Sequence, residues 1–246
     1  MLDRCEKRRV IGLQGYSRYN YQYSAPHARS KKVLLALVLV AVIVLSIFFI
    51  KTVYGMYTIE GLPSSEVASV DSSGFESTPA SEWQRGSMPI LYQKDSQWSA
   101  GRYCGAPFSE SGCGPTCLAM VYIYLTGDTT QTPATFADMA TSAGCAGPYG
   151  TDWIFMTEGM RRLGIGVEEV SANRDLIYSC LRSGNPIIAT VGAGDFTSEG
   201  HFIVLAGINP DGSIAVHDPN SIERTQQSWD LDRLMPQFRN LWVYYS

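Results

Sequence analysis

The sequence feature that most limits how this chain folds is an unbroken apolar run, Val33 to Ile50, interrupted only by Ser46. Eighteen such residues are close to the length a helix needs to cross a bilayer. A core helix is seldom apolar on every side, and here lysines flank the run at Lys31, Lys32 and Lys51. A cleaved signal would have a shorter apolar core followed by a small-residue site, which Lys51-Thr52-Val53-Tyr54-Gly55-Met56 does not offer. The run therefore reads as one transmembrane helix, in contact with the lipid bilayer through residues 33–50, and the soluble fold must lie elsewhere.

Charge sets the expected orientation. Residues 1–32 carry eight Lys/Arg against Asp3 and Glu6, net +6. Residues 33–87 carry two bases against five acids, net −3, and residues 88–246 carry nine against sixteen, net −7. Basic flanks stay inside, which predicts a single-pass protein of the cell membrane with a cytoplasmic tail (1–32) and an extracytoplasmic C-terminal part. The tail has no helix or strand periodicity. Residues 51–87, rich in Ser, Gly, Glu and Pro, read as a flexible linker. The 159 residues from 88 to 246 suffice for one core, and their acidity argues against nucleic acid as a partner.

Within that domain three motifs carry chemistry. Ser111-Gly112-Cys113-Gly114-Pro115-Thr116 leads into Cys117–Leu125, almost wholly apolar, and then Gly127. Proline in the first turn and glycine past the end frame a buried helix with Cys113 at its N-terminus. There the free N–H groups and the helix dipole favour a thiolate and a developing oxyanion. A buried structural thiol at a turn fits the same local pattern. Two further motifs favour the nucleophile. Pro186–Val191 reads as a buried strand, and a glycine-rich loop follows, in which Gly192-Ala193-Gly194 reads as a flexible flap. His201–Gly207 and Ser213–Asp218 flank the turn cluster Asn209-Pro210-Asp211-Gly212 and so predict an antiparallel hairpin. His201 and Asp218 then lie at the same hairpin end, as a base and its orienter. His217 is the rival base, but strand alternation turns it to the face opposite Asp218.

Helices are expected over 114–125, 134–142, about 151–163 and 174–183, with strands mainly from Pro186 onward and a last one at Leu241–Tyr245. That segregation is an α+β arrangement with the nucleophile helix packed on a C-terminal antiparallel sheet. The cysteines lack paired Cys-x-x-Cys knuckles and no phosphate loop opens a helix, so neither a metal nor a cofactor is expected. Cys5 is expected in the cytoplasm and reduced. Outside, four cysteines besides Cys113 permit up to two disulfides, with Cys104 to Cys145 or Cys117 the leading pairing. Cys180, beside Leu176, Ile177 and Leu181, reads equally as a buried free thiol.

These motifs, with Pro89–Trp98, Gly184-Asn185-Pro186-Ile187-Ile188 and Asp218-Pro219, resemble the papain-like family related to the bacteriocin-processing, double-glycine leader peptidases, in its stand-alone branch, over roughly residues 88–246. The resemblance implies a papain-like fold with a Cys113-His201-Asp218 triad. It also implies a glutamine that donates to the oxyanion. In the leader peptidases that glutamine stands six residues before the cysteine, but here the position is Pro107, so Gln93 takes the role, with Gln97 behind it. The expected activity is a cysteine peptidase or amide hydrolase working through a thioester on a peptide or cell-wall peptide crosslink. Transfer of the acyl group to an amine uses the same triad, and a non-catalytic peptide- or cell-wall-binding module uses the same fold.

Overall fold

The computed structural model describes residues 37–38, 40–46 and 74–246. The chain divides into two units, 1–65 and 66–246. In the first, the described residues are helical, with Leu37, Val38, Val40 and Val42–Leu45 exposed. Among the described residues no helix is long and apolar enough to cross a membrane. The remainder of the 33–50 run, the basic tail and residues 51–73 lie outside the described residues.

The second unit is α+β. A central antiparallel sheet has the order β5-β10-β6-β7-β8-β9, formed by β5 (Gly166–Val170), β6 (Ile187–Val191), β7 (His201–Ile208), β8 (Ile214–His217), β9 (Ser228–Trp229) and β10 (Phe238–Tyr245). Two small hairpins precede it, β1–β2 (Arg102–Tyr103, Ala106–Pro107) and β3–β4 (Ala146–Gly147, Gly150–Thr151). The helices are α1 (Phe108–Ser111), α2 (Cys113–Thr126), α3 (Pro133–Ser142), α4 (Trp153–Arg161), α5 (Arg174–Arg182), α6 (Ile222–Gln226) and α7 (Leu231–Leu234).

Side-chain alternation divides the core. Ile188, Phe202, Val204, Trp242 and Tyr244 join one apolar cluster with α2, α3 and α4. Their neighbours Ile187, Ala189, Ile203, Leu205, Leu241 and Val243 join a second cluster with Ile177 and Leu181 of α5. The sheet is thus covered on both faces, which is why β6 is buried at every residue and apolar at all but Thr190. The same logic explains α2. It is buried at every position from Gly114 to Ile123, so its sequence has no polar stripe. Gly127, at φ 73°, ends it in the left-handed conformation. Thr132 opens α3 with a capping box, and Asn173 caps α5.

The predicted helices and strands occur with shifted ends, α4 being shorter (153–161) than the expected 151–163. The β1–β2 and β3–β4 hairpins were not anticipated, their strands being only two residues long. Residues 77–87, which composition places in the linker, lie against the domain. Thr78 N–H donates to Ile90, Gly86 N–H donates to Tyr124, and Trp83 is buried. Cys104, Cys113, Cys117, Cys145 and Cys180 are all free thiols, so the expected pairing of Cys104 is not made.

Candidate active site

Cys113 is the first residue of α2, and the glycines on either side of it are required by space. A Cβ on Gly112 would lie 2.3 Å from the Phe108 ring, and one on Gly114 would lie 2.6 Å from Thr151 Oγ1. The Gly-Cys-Gly sequence therefore lets the helix start close against α1 and β4, with the thiol half-buried at its tip.

The hairpin brings the other two groups to that tip. Val204 pairs with His217. Asp218 follows at the end of β8, beside the start of β7 where His201 stands. His201 Nε2 lies 2.7 Å from Asp218 Oδ1. The opposite ring nitrogen, Nδ1, is thereby left for Cys113, whose ionisation His201 favours. The backbone N–H groups of Phe202 and Gly114 favour its thiolate as well. His201 is 7% exposed and the Asp218 side chain is fully buried.

The electrostatics follow from these contacts. Burial opposes ionisation of Cys113. The hydrogen bond and charge of His201, with the Phe202 and Gly114 N–H groups, nevertheless bring the thiol below its ordinary pKa. Burial likewise disfavours the His201 imidazolium, yet the bonds to Asp218 and Cys113 raise it to about 9. Burial would raise Asp218 too, but His201, then Arg224 and the Asn220 N–H, hold it below the usual carboxylate value. The arrangement favours a thiolate–imidazolium pair over the neutral thiol and imidazole.

His217 is not part of this group. Its Nδ1 lies 3.3 Å from the Pro89 carbonyl, and burial pushes its pKa down to about 4, so the ring is neutral. Gln93 is buried and its Nε2 donates to the Ser109 carbonyl at 2.8 Å, while Oε1 has no partner. Gln93 does not line the cleft at Cys113. Its backbone N–H donates to Pro219, next to Asp218. Gln97 is bound to Asp95 instead, and Pro107 lies in β2. Among the described residues no cluster of His, Cys, Asp and Glu is arranged to hold a metal ion.

A cleft of about 620 Å³ opens over Cys113 and His201. Tyr149, Trp153 and Cys104 stand along it, with the acids Glu110 and Glu199 and the base Arg239. None of these was marked by the sequence motifs, because the two small hairpins that present several of them carry little periodicity. Arg224 was also missed. Its Nε donates to Asp218 Oδ2 at 2.5 Å. The available signal was an arginine six residues past an Asp-Pro-Asn turn.

The Peptidase_C39 like family matches residues 87–246. Among solved structures, the peptidase domain of Streptococcus ComA, a bi-functional ABC transporter involved in a quorum-sensing pathway, is similar with a TM-score of 0.43. It is 18% identical over 55% of this chain and 90% of that one. No curated protein matches the chain. With most of its length matched by the family, the chain belongs to the Peptidase_C39 like family and is a papain-like cysteine peptidase related to the bacteriocin-processing enzymes.

Proposed function

We propose that this chain is a membrane-anchored, extracytoplasmic cysteine peptidase in which Cys113 is the nucleophile, His201 the general acid and base, and Asp218 the residue that orients His201. The observation that carries this reading is the placement of one imidazole between a buried carboxylate and a thiol at a helix N-terminus. In the resting enzyme the proton of Cys113 resides on His201. The thiolate attacks the substrate carbonyl carbon, and the carbonyl oxygen takes the negative charge. Free N–H groups at the start of α2 stabilise that charge. The C–N bond breaks as His201 delivers its proton to the leaving amine, which leaves a thioester on Cys113. Neutral His201 then takes a proton from water, the hydroxide displaces the thiolate, and the acid product departs.

The substrate class is a peptide or a cell-wall peptide crosslink, which fits an open cleft carrying both aromatic and charged walls. The apolar run at 33–50 and the basic tail before it support the anchored, outward-facing topology. Incubation with a library of peptide aldehydes, which trap such thiols as hemithioacetals, tests the reading. Adducts should form on Cys113 in the wild type and not in Cys113→Ala or His201→Ala. Equal adduct formation by the His201 variant would refute it.

A further inference from the structure

Asp218 is enclosed by the segment that follows it. Its backbone N–H donates to Thr225 Oγ1 at 2.9 Å, and its Oδ1 accepts from the Asn220 N–H at 2.8 Å as well as from His201. Oδ2 has a different partner, Arg224 Nε at 2.5 Å, from α6. The Arg224 side chain is 25% exposed, and its guanidinium lies 5.9 Å over the Phe196 ring. Phe196 is itself buried and packs at a tilt against Trp229, ring centroids 4.5 Å apart, and Trp229 Nε1 donates back to the Arg224 carbonyl at 2.9 Å. The guanidinium is thus held on both its ionic and its aromatic side, and Phe196 belongs to the loop that leads into His201.

We propose that Arg224 is a positioning residue of the active site, fixing the Asp218 carboxylate so that it orients His201 and supplying the second positive charge that the thiolate and the buried carboxylate require. The proposal rests on Cys113, His201 and Asp218 acting as the triad. Charge counting carries it. With Cys113 and Asp218 ionised and His201 protonated, the group has a net negative charge around an Asp218 side chain that is fully buried and a His201 that is 7% exposed. Arg224 makes it neutral. Without that charge, a proton returns to Cys113 or Asp218 at a higher pH. The other titratable groups around the site do not substitute for it. Burial keeps Tyr92, Tyr103, Cys104 and Cys117 in their neutral forms, and His217 is neutral as well. Glu110, Glu199 and Arg239 stand along the cleft over Cys113 and His201 rather than against Asp218.

The test is the rate of Cys113 alkylation by iodoacetamide as a function of pH in the full chain, read by peptide mapping, for wild type, Arg224→Gln and Arg224→Lys. The Gln variant should move the acid limb of the profile up by about one pH unit, the size expected for a lost charge in a partly buried site. The Lys variant keeps the charge and should restore most of that shift. A merely structural arginine would lower the melting temperature and leave the limb in place, so a folded Gln variant with the wild-type limb overturns the proposal. Should the Gln variant not fold, the Lys variant decides. A limb near the wild type with slower alkylation supports the proposal, and a limb displaced upward by a full unit overturns it. A wild-type Cys113 no more reactive than the other thiols, or a His201→Ala profile identical to wild type, would instead sink the triad itself.

Discussion

Gly114→Ala places a methyl group where the nucleophile helix meets β4. The new Cβ would stand 2.6 Å from Thr151 Oγ1, 3.0 Å from Thr151 Cβ and 3.1 Å from Met156 Cε. Met156 is flexible at its tip and can move. Thr151 is less free, because its hydroxyl shares a 2.7 Å hydrogen bond with the buried Tyr103 hydroxyl. Overpacking of this kind costs about 1–3 kcal/mol. Replacing glycine in a helix returns up to about 1 kcal/mol of propensity, less in a first turn. The net expectation is a loss of about 1–2 kcal/mol, or roughly 2–8 °C in melting temperature for a domain of this size. The assay is thermal denaturation followed by circular dichroism, beside the alkylation rate of Cys113. Alanine keeps the backbone N–H that favours the thiolate, so Cys113 should still react as a thiolate, only more slowly if the helix tip is displaced. In a Thr151→Ala background the nearest atom is gone, and the cost of Gly114→Ala should shrink. A melting temperature unchanged or raised by Gly114→Ala, or a cost that is the same in both backgrounds, would refute the claim that space dictates the glycine.

The remaining predictions concern the site and the topology. Asp218→Asn keeps the shape and one hydrogen bond to His201, so it should slow turnover less than His201→Ala, for which a loss of about 10²–10⁴-fold is expected; kcat measured on a common peptide substrate decides the order. His217 is held neutral, with a pKa of about 4 in the fold against 6.5 in the open chain. Its contribution to stability is therefore complete above about pH 6.5 and is lost as the pH falls toward 4. His217→Gln should flatten that part of the urea-midpoint profile while leaving Cys113 reactivity unchanged. Limiting iodoacetamide should label Cys113 before Cys117, which is fully buried, and before Cys180, as peptide mapping would show. Protease added to intact cells should cut between residues 55 and 73 and release the domain, whereas a mature N-terminus near residues 52–58 would show a secreted protein.

The parts of this molecule that could be read from sequence are those where one residue type answers one physical demand. Cys113 stands where a proline and a distant glycine bracket a helix. His201 and Asp218 stand where a turn cluster joins two apolar strands, so that pairing alone brings them to one end. Alternation sets His217 on the face opposite Asp218; in the structure His217 pairs with Val204 and its ring meets the Pro89 carbonyl. What escaped depends on contacts between segments distant in sequence. Tyr149 and Trp153 reach the cleft from a two-residue hairpin and the helix after it, where no periodicity accumulates. Arg224 meets Asp218 only because a five-residue helix folds back over the Asp-Pro turn. The glycines flanking Cys113 are dictated by close packing against Phe108 and Thr151, contacts that come from other segments. Gln93 was placed by resemblance, and its amide is bound to Ser109 rather than lining the cleft.

The central claim is that His201 holds the proton of Cys113 at rest. The most direct measurement is the pH dependence of Cys113 alkylation in wild type and His201→Ala, with the modified residue identified by mass spectrometry. In the wild type the thiolate should persist well below the ordinary thiol range. In the variant burial remains while its compensating partner is gone, so reactivity should appear only near or above pH 9. A His201→Ala protein that is folded and retains the low-pH reactivity of Cys113 would contradict the account.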